Sequence, residues 1–171
     1  MAKKGGGRRD GKSARREILR HWRERAPNDR LAHLVRDAGR SCVRALQMRL
    51  AREGISFGQW SFLRILWQED GVTQRELSSR AGVTEPSAFV VLKSLEHQRC
   101  IARKRMSGNR KNLYIYLTPK GRALRENLEP LAEEVNRIAI AHLTNAEIAA
   151  TRKTLLAVIE NLAMDETPET G

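Results

Sequence analysis

Apolar positions recur along this chain in two periods. Leu31, Leu34, Val35, Ala38, Cys42, Ala45 and Leu46 follow at three- and four-residue spacing, which predicts one long amphipathic helix. Asp29 stands at its N-cap position and Gly54 at its end. Ser56 caps a second element, strongly apolar through Phe57, Trp60, Leu63, Ile65, Leu66 and Trp67, which Gly71 closes. Thr73 and Glu76 have the spacing of a capping box, with Leu77 and Ala81 inward. Gly82 supplies a tight turn. Thr84 then caps another helix, with Pro86 in its first turn, where a missing N–H does little harm. The period next changes to two: Leu113, Ile115 and Leu117 alternate with Tyr114 and Tyr116. Residues 101–106 and 113–117 therefore read as two strands around a polar tip at 107–112. Helical spacing returns after Thr118-Pro119. Leu124, Leu128, Leu131, Val135, Ile138 and Leu143 carry a stripe past Pro130. Thr144 with Glu147 opens a last helix striped by Ile148, Leu155, Val158, Ile159 and Leu162.

The order of elements predicts a mainly α chain with a small β-hairpin: a winged helix-turn-helix flanked by long N- and C-terminal helices. The expected divisions are a basic extension at 1–27, an N-terminal dimerisation helix at 28–55 and a DNA-binding lobe at 56–118. C-terminal dimerisation helices follow at 119–164, then an acidic tail at 165–171. Residues 1–12 have the Gly, Lys and Arg content of disordered segments. Ser13 can cap a short basic helix that Pro27-Asn28 breaks. The flanking amphipathic helices exceed what a small lobe needs for its own core, so a homodimer interface is expected; packing within one monomer is the plainer alternative.

Charge sharpens this picture. The 171 residues carry a formal net charge of +12. A surplus of this size points to a polyanion as partner, here double-stranded DNA. The first 25 residues hold ten Lys/Arg against three acids, so +7 of the total lies there. That segment suits either a solvated tail or contact with the DNA backbone. Much of the remainder falls on the hairpin. Two cysteines, Cys42 and Cys100, make neither a disulfide framework nor a zinc site, and the four histidines lack metal-ligand spacing. No apolar run reaches the ~18 residues of a membrane span, and no signal-peptide pattern opens the chain, so a cytoplasmic protein is expected. Neither a phosphate-binding Gly loop, nor a nucleophile–base arrangement, nor paired carboxylates in an apolar setting appear, so an enzyme is not expected, and neither cofactor nor metal is implied.

A helix that enters the major groove needs its N-terminal residues free to reach bases. In the helix after Thr84 the inward positions are Ala88, Val91 or Leu92, and Leu95. Glu85, Pro86, Ser87, Phe89, Val90, Lys93 and Ser94 are left outward. Phe89 and Val90 can meet thymine methyl groups in a groove; alternatively the face is shifted by one residue and one of them is core. Ser87 suits a base edge or a phosphate, and Lys93 a phosphate. Thr73 and Gln74 open the preceding helix, whose N-terminus attracts phosphate. Arg103, Lys104, Arg105, Arg110 and Lys111 make the wing basic, and an arginine at such a tip fits a narrow minor groove.

From about Leu31 to Met164 the chain resembles the MarR family of bacterial transcriptional regulators. The resemblance is carried by Ser56-Phe57-Gly58-Gln59-Trp60, by Gln74-Arg75-Glu76-Leu77 and by Gly82-Val83-Thr84-Glu85-Pro86-Ser87. Leu95-Glu96 and the closing Leu117-Thr118-Pro119-Lys120-Gly121 complete it. It implies a winged-helix homodimer on a pseudo-palindromic operator, released by a small ligand, often an aromatic acid. Departures from the pattern are specific. The wing reads Gly108-Asn109-Arg110-Lys111 where the family has Asp-x-Arg, so Arg110 or Lys111 takes the arginine's place depending on wing length, and the acid is missing. Arg99 stands where the family often has a glycine. The cysteine of the peroxide-sensing branch would fall near Ala32, and Cys42 reads as a buried small residue.

The resemblance places an effector pocket between the DNA-binding lobe and the dimer helices. His33, Arg36, Trp60, Arg64 and Trp67 are its candidate residues: arginine for a carboxylate, tryptophan for a ring. Trp60 and Trp67 also sit at core-like spacing. Two rival functions stand beside the ligand-responsive repressor. One is an architectural protein that binds DNA without sequence preference; the other is a thiol-based redox regulator.

Overall fold

The computed structural model describes Arg20 and residues 31–106 and 109–165, with side chains of 106–112 left aside. Expectations for the basic extension, for the Asp29 cap and for the acidic tail from 166 lie outside these residues. The chain divides into two compact units, Met1–Ser41 and Cys42–Gly171.

In order, the elements are α1 (Leu31–Leu50), α2 (Phe57–Gln68), β1 (Val72–Thr73), α3 (Gln74–Ala81), α4 (Glu85–His97), β2 (Ile101–Met106), β3 (Asn109–Leu117), α5 (Pro119–Ala139) and α6 (Asn145–Asp165). A 3-10 turn, Ala51–Glu53, follows α1, and Gly54 ends it at φ +70°, a left-handed value that glycine adopts without Cβ strain. The caps fall where the sequence puts them. Ser56, Thr73, Thr84 and Thr118 each accept from a backbone N–H in the first turn of α2, α3, α4 and α5. Thr144 and Glu147 do the same reciprocally for α6.

Three features differ from expectation. The sheet has three strands in the order β1-β3-β2, because Val72 and Thr73 pair with Ile115 and Tyr114. A two-residue strand whose second residue is itself the cap of α3 carries no period, so it left no pattern to read. The hairpin is also tighter: β3 begins at Asn109 and pairs it with Met106, so much of the polar tip is strand. The register shifts between Arg105, paired with Leu113, and Met106, paired with Asn109, an irregularity that polarity alone does not reveal. Finally, α5 ends at Ala139, and Leu143 lies beyond it, exposed.

Within the second unit one core joins the lobe to the helices around it. Leu50, Leu63, Leu66, Leu77, Leu92, Leu95, Ile115 and Leu128 are all fully buried there. Arg49 of α1 clamps Glu134 of α5 through two parallel bonds, Nε to Oε2 at 2.9 Å and Nη2 to Oε1 at 3.0 Å. Asp70 ties the α2–β1 turn to α5: Oδ1 accepts from the Leu117 N–H, and Oδ2 pairs with Arg122 at 2.7 Å. By contrast, α6 buries no residue, and Leu156, Ile159, Leu162 and Met164 lie exposed along it. In the first unit, Leu31 and Leu34 of α1 are exposed too.

Candidate nucleic-acid interface

Helix α4 presents the face that its sequence suggests. Ala88, Leu92 and Leu95 are buried, whereas Phe89 is 48% and Val90 67% exposed. Neither is core, which removes the alternative of a face shifted by one residue. Glu85, Pro86, Ser87 and Lys93 are exposed as well. Ser94, expected outward, is half-buried and accepts a hydrogen bond from Gln59 Nε2 at 2.9 Å. The same Gln59 closes the capping box of α2, its Oε1 accepting from the Ser56 N–H at 2.8 Å. Gln59 thus pins the start of α2 to the middle of α4. The sequence offered only a motif glutamine, with nothing to name its partner.

Helix α3 packs beside α4 across Gly82, which sits at φ +65°. Thr73 caps α3, but Glu76 already occupies that helix end. Its Oε2 accepts from the Thr73 N–H at 2.8 Å and from Thr73 Oγ1 at 2.7 Å. The backbone N–H of Thr73 and then its hydroxyl hold the Glu76 carboxyl below its ordinary range. A phosphate beside Thr73 and Gln74 would share this helix end with a carboxylate. Thr84 Oγ1 and Ser87 Oγ lie 3.0 Å apart, so these two candidates engage each other at the start of α4.

The basic residues of the wing divide into two kinds. Lys104 and Arg105 are exposed, and Lys104 Nζ stands 5.5 Å from the ring centre of Tyr116. Arg103 turns back onto α4. Its side chain is 13% exposed, with Nε 3.1 Å from Glu96 Oε2 and Cζ 5.4 Å from the ring centre of Phe89. The sequence names Glu96 only as part of the Leu95-Glu96 resemblance and not as a partner of Arg103, although an acid at a helix end seven residues before a strand arginine is the available signal. Arg110 and Lys111 lie on the backbone of β3, and their side chains fall outside the description.

The candidate effector residues do not share one cavity. A pocket of about 350 Å³ in the second unit is lined by Leu46, Phe57, Trp60, Arg64 and Val135, with Cys42 among its residues. Trp60 is buried and Arg64 exposed. Trp67 lines another cavity of about 340 Å³, beside Asp70, Arg122 and Arg125, and donates its indole N–H to the Gly121 carbonyl at 2.9 Å. The two indoles meet edge to face at 5.5 Å. His33 and Arg36 belong to the first unit, where Arg36 pairs with Asp37. Cys42 is exposed, contrary to its reading as a buried small residue, because the apolar stripe of α1 is itself uncovered there. Cys100 is the buried thiol, and burial raises its pKa. Among the described residues no group of acids, histidines and cysteines could hold a metal ion, and no helix is long and apolar enough to cross a membrane.

Residues 55–113 match the model of the MarR family. The chain is 29% identical over 108 residues to the HTH-type transcriptional regulator TtmR of Methylorubrum extorquens, covering 63% of this chain and only 55% of that relative. It is 27% identical over 135 residues to the HTH-type transcriptional repressor Rv2887 of Mycobacterium tuberculosis, covering 79% and 94%. The crystal structure of Rv2887 in complex with salicylic acid superposes at a TM-score of 0.63 over 78% of this chain and 98% of that one. The transcriptional regulator PA3341, 29% identical, superposes at 0.71 over 78% and 98%. These relatives are transcriptional regulators, not enzymes.

Proposed function

We propose that this chain, whose residues 55–113 match the MarR family model, is a winged helix-turn-helix regulator of transcription that binds a pseudo-palindromic operator as a homodimer. The observation that supports this most is α4: it buries Ala88, Leu92 and Leu95 and leaves its whole N-terminal side open. Glu85, Pro86, Ser87, Phe89, Val90 and Lys93 then face the major groove, with Thr73, Gln74 and Thr84 near the backbone. Arg105, Arg110 and Lys111 of the wing contact the neighbouring groove and phosphates. The partner is double-stranded DNA, and the protein works in the cytoplasm.

The second subunit covers apolar surface that one chain leaves open. Leu31 and Leu34 in one unit, and Leu156, Ile159 and Leu162 in the other, are large side chains exposed at 46–63%. Exposed apolar surface on this scale marks an interaction site. Two copies related by a two-fold axis read two half-sites, so the operator mirrors the protein's symmetry.

A small carboxylate-bearing aromatic effector fits the pocket at Trp60 and Arg64. Trp60 supplies an aromatic wall and Arg64 an exposed guanidinium that can take a carboxylate. The salicylic acid held by Rv2887 is of this chemical class. The outcome is repression relieved by ligand.

Binding-site selection with the purified protein, followed by footprinting, tests the reading. Two protected half-sites with centres about 10 bp apart are expected, occupied by one dimer. A single short, asymmetric site filled by a monomer would refute it.

A further inference from the structure

We propose that Arg103 is a positioning residue that fixes Phe89 as a reader of the thymine methyl group, and that it is not itself a phosphate contact. The proposal rests on the operator-binding reading above and deepens it. Phe89 and Glu96 lie seven residues apart on α4, two turns along one face. Arg103 comes from β2 and spans that face, its guanidinium over the Phe89 ring and its Nε beside the Glu96 carboxylate. Nε is buried and lacks an aligned hydrogen bond, so stacking and charge, not a directional bond, hold the side chain. With 13% of its side chain exposed, Arg103 has little left to offer a phosphate.

Phe89 keeps 48% of its surface open beside Val90. A phenyl ring neither donates to nor accepts from a base edge. The feature it can recognise in the major groove is apolar, and among the four unmodified bases only thymine shows a methyl group there. A ring already backed by a guanidinium meets that methyl without being ordered first. Arginine is suited to this backing because its planar group stacks, whereas lysine carries a compact, strongly hydrated charge.

The test uses the full chain and an operator obtained by selection, with each thymine of one half-site replaced in turn by deoxyuridine, which removes only the methyl. One thymine position is expected at which the wild-type protein loses affinity about fourfold, the equivalent of burying one methyl-sized group. Phe89→Ala should abolish that difference. Arg103→Lys should abolish it too despite keeping the charge, and Glu96→Gln provides a second route if Arg103→Lys does not fold. In Arg103→Gln the slope of log affinity against log salt should be unchanged. The proposal is overturned if a protein that selects a sequence shows no deoxyuridine effect, or if the effect survives in Phe89→Ala. It is equally overturned if Arg103→Gln lowers the salt slope by about one, the signature of a lost phosphate contact. A protein that selects no sequence at all overturns the operator reading as well, which separates the two failures.

Discussion

Replacing Gly121 with alanine should destabilise the chain, although alanine is the better helix former. Gly121 is buried near the start of α5, where that helix meets the end of the DNA-binding lobe. A Cβ there would lie 2.0 Å from the Cys100 carbonyl oxygen and 3.1 Å from Leu117 Cδ2. The oxygen is backbone, and it already accepts from the Thr118 N–H at 3.0 Å and from Thr118 Oγ1 at 3.1 Å. It must move by more than 1 Å to reach ordinary contact distance, about 3.2 Å, and those two bonds move with it. Overpacking of this kind costs about 1–3 kcal/mol, and weakening two hydrogen bonds adds about 1–2 kcal/mol. Helix propensity returns about 1 kcal/mol. The net is about 1–4 kcal/mol, or a fall in Tm of roughly 2–16 °C for a chain of this size. Gly58→Ala is the control, since its Cβ would meet Val91 Cγ2 at 3.5 Å, an ordinary contact. Urea unfolding at fixed protein concentration measures both variants. Tryptophan emission is a suitable probe because the Trp67 indole donates to the Gly121 carbonyl. Gly121→Ala as stable as Gly58→Ala would refute the close approach and the reasoning built on it.

Other outcomes follow from single features. Arg99 sits at φ +58°, a left-handed conformation that costs a non-glycine residue about 1–2 kcal/mol, so Arg99→Gly should raise stability by about 1 kcal/mol in the same unfolding assay. The Arg49 guanidinium holds the Glu134 carboxyl below its ordinary range, and the N–H groups of Thr73 and Thr144 do so for Glu76 and Glu147. A carboxyl depressed in the folded state stabilises fully above its unfolded pKa of about 4.3, and that contribution is lost as pH falls through the lower folded value. Melts between pH 7 and pH 3 should show this loss, and Glu134→Gln should flatten part of it. Ile159→Glu, on the exposed stripe of α6, should leave the monomer folded by circular dichroism while shifting its sedimentation from dimer to monomer.

The local signals were the most readable. Side-chain oxygens at Ser56, Thr73, Thr84, Thr118 and Thr144 announce helix starts because capping depends on residues within one turn. The face of α4 was legible for the same reason, since burial of Ala88, Leu92 and Leu95 follows helical spacing. What could not be read depends on partners far along the chain. β1 is defined only by pairing with Ile115 and Tyr114, more than forty residues later. Gln59 finds Ser94, and Arg103 finds Glu96 and Phe89, through tertiary packing that no period encodes. Cys42 misled because a stripe at core spacing says that a face is apolar, not that this chain covers it. The pocket was half-legible. Trp60 and Arg64 share it, while Trp67, one helical turn further along α2, lines another cavity.

The central claim is that this chain recognises a particular DNA sequence. The most direct test is the ratio of affinities for the selected operator and for scrambled DNA of equal length, both measured at one physiological salt concentration. A ratio on the order of 10³ or more is expected of a sequence-specific regulator. A ratio near one, with steep salt dependence on both DNAs, would contradict the claim and leave a basic protein that binds the backbone alone.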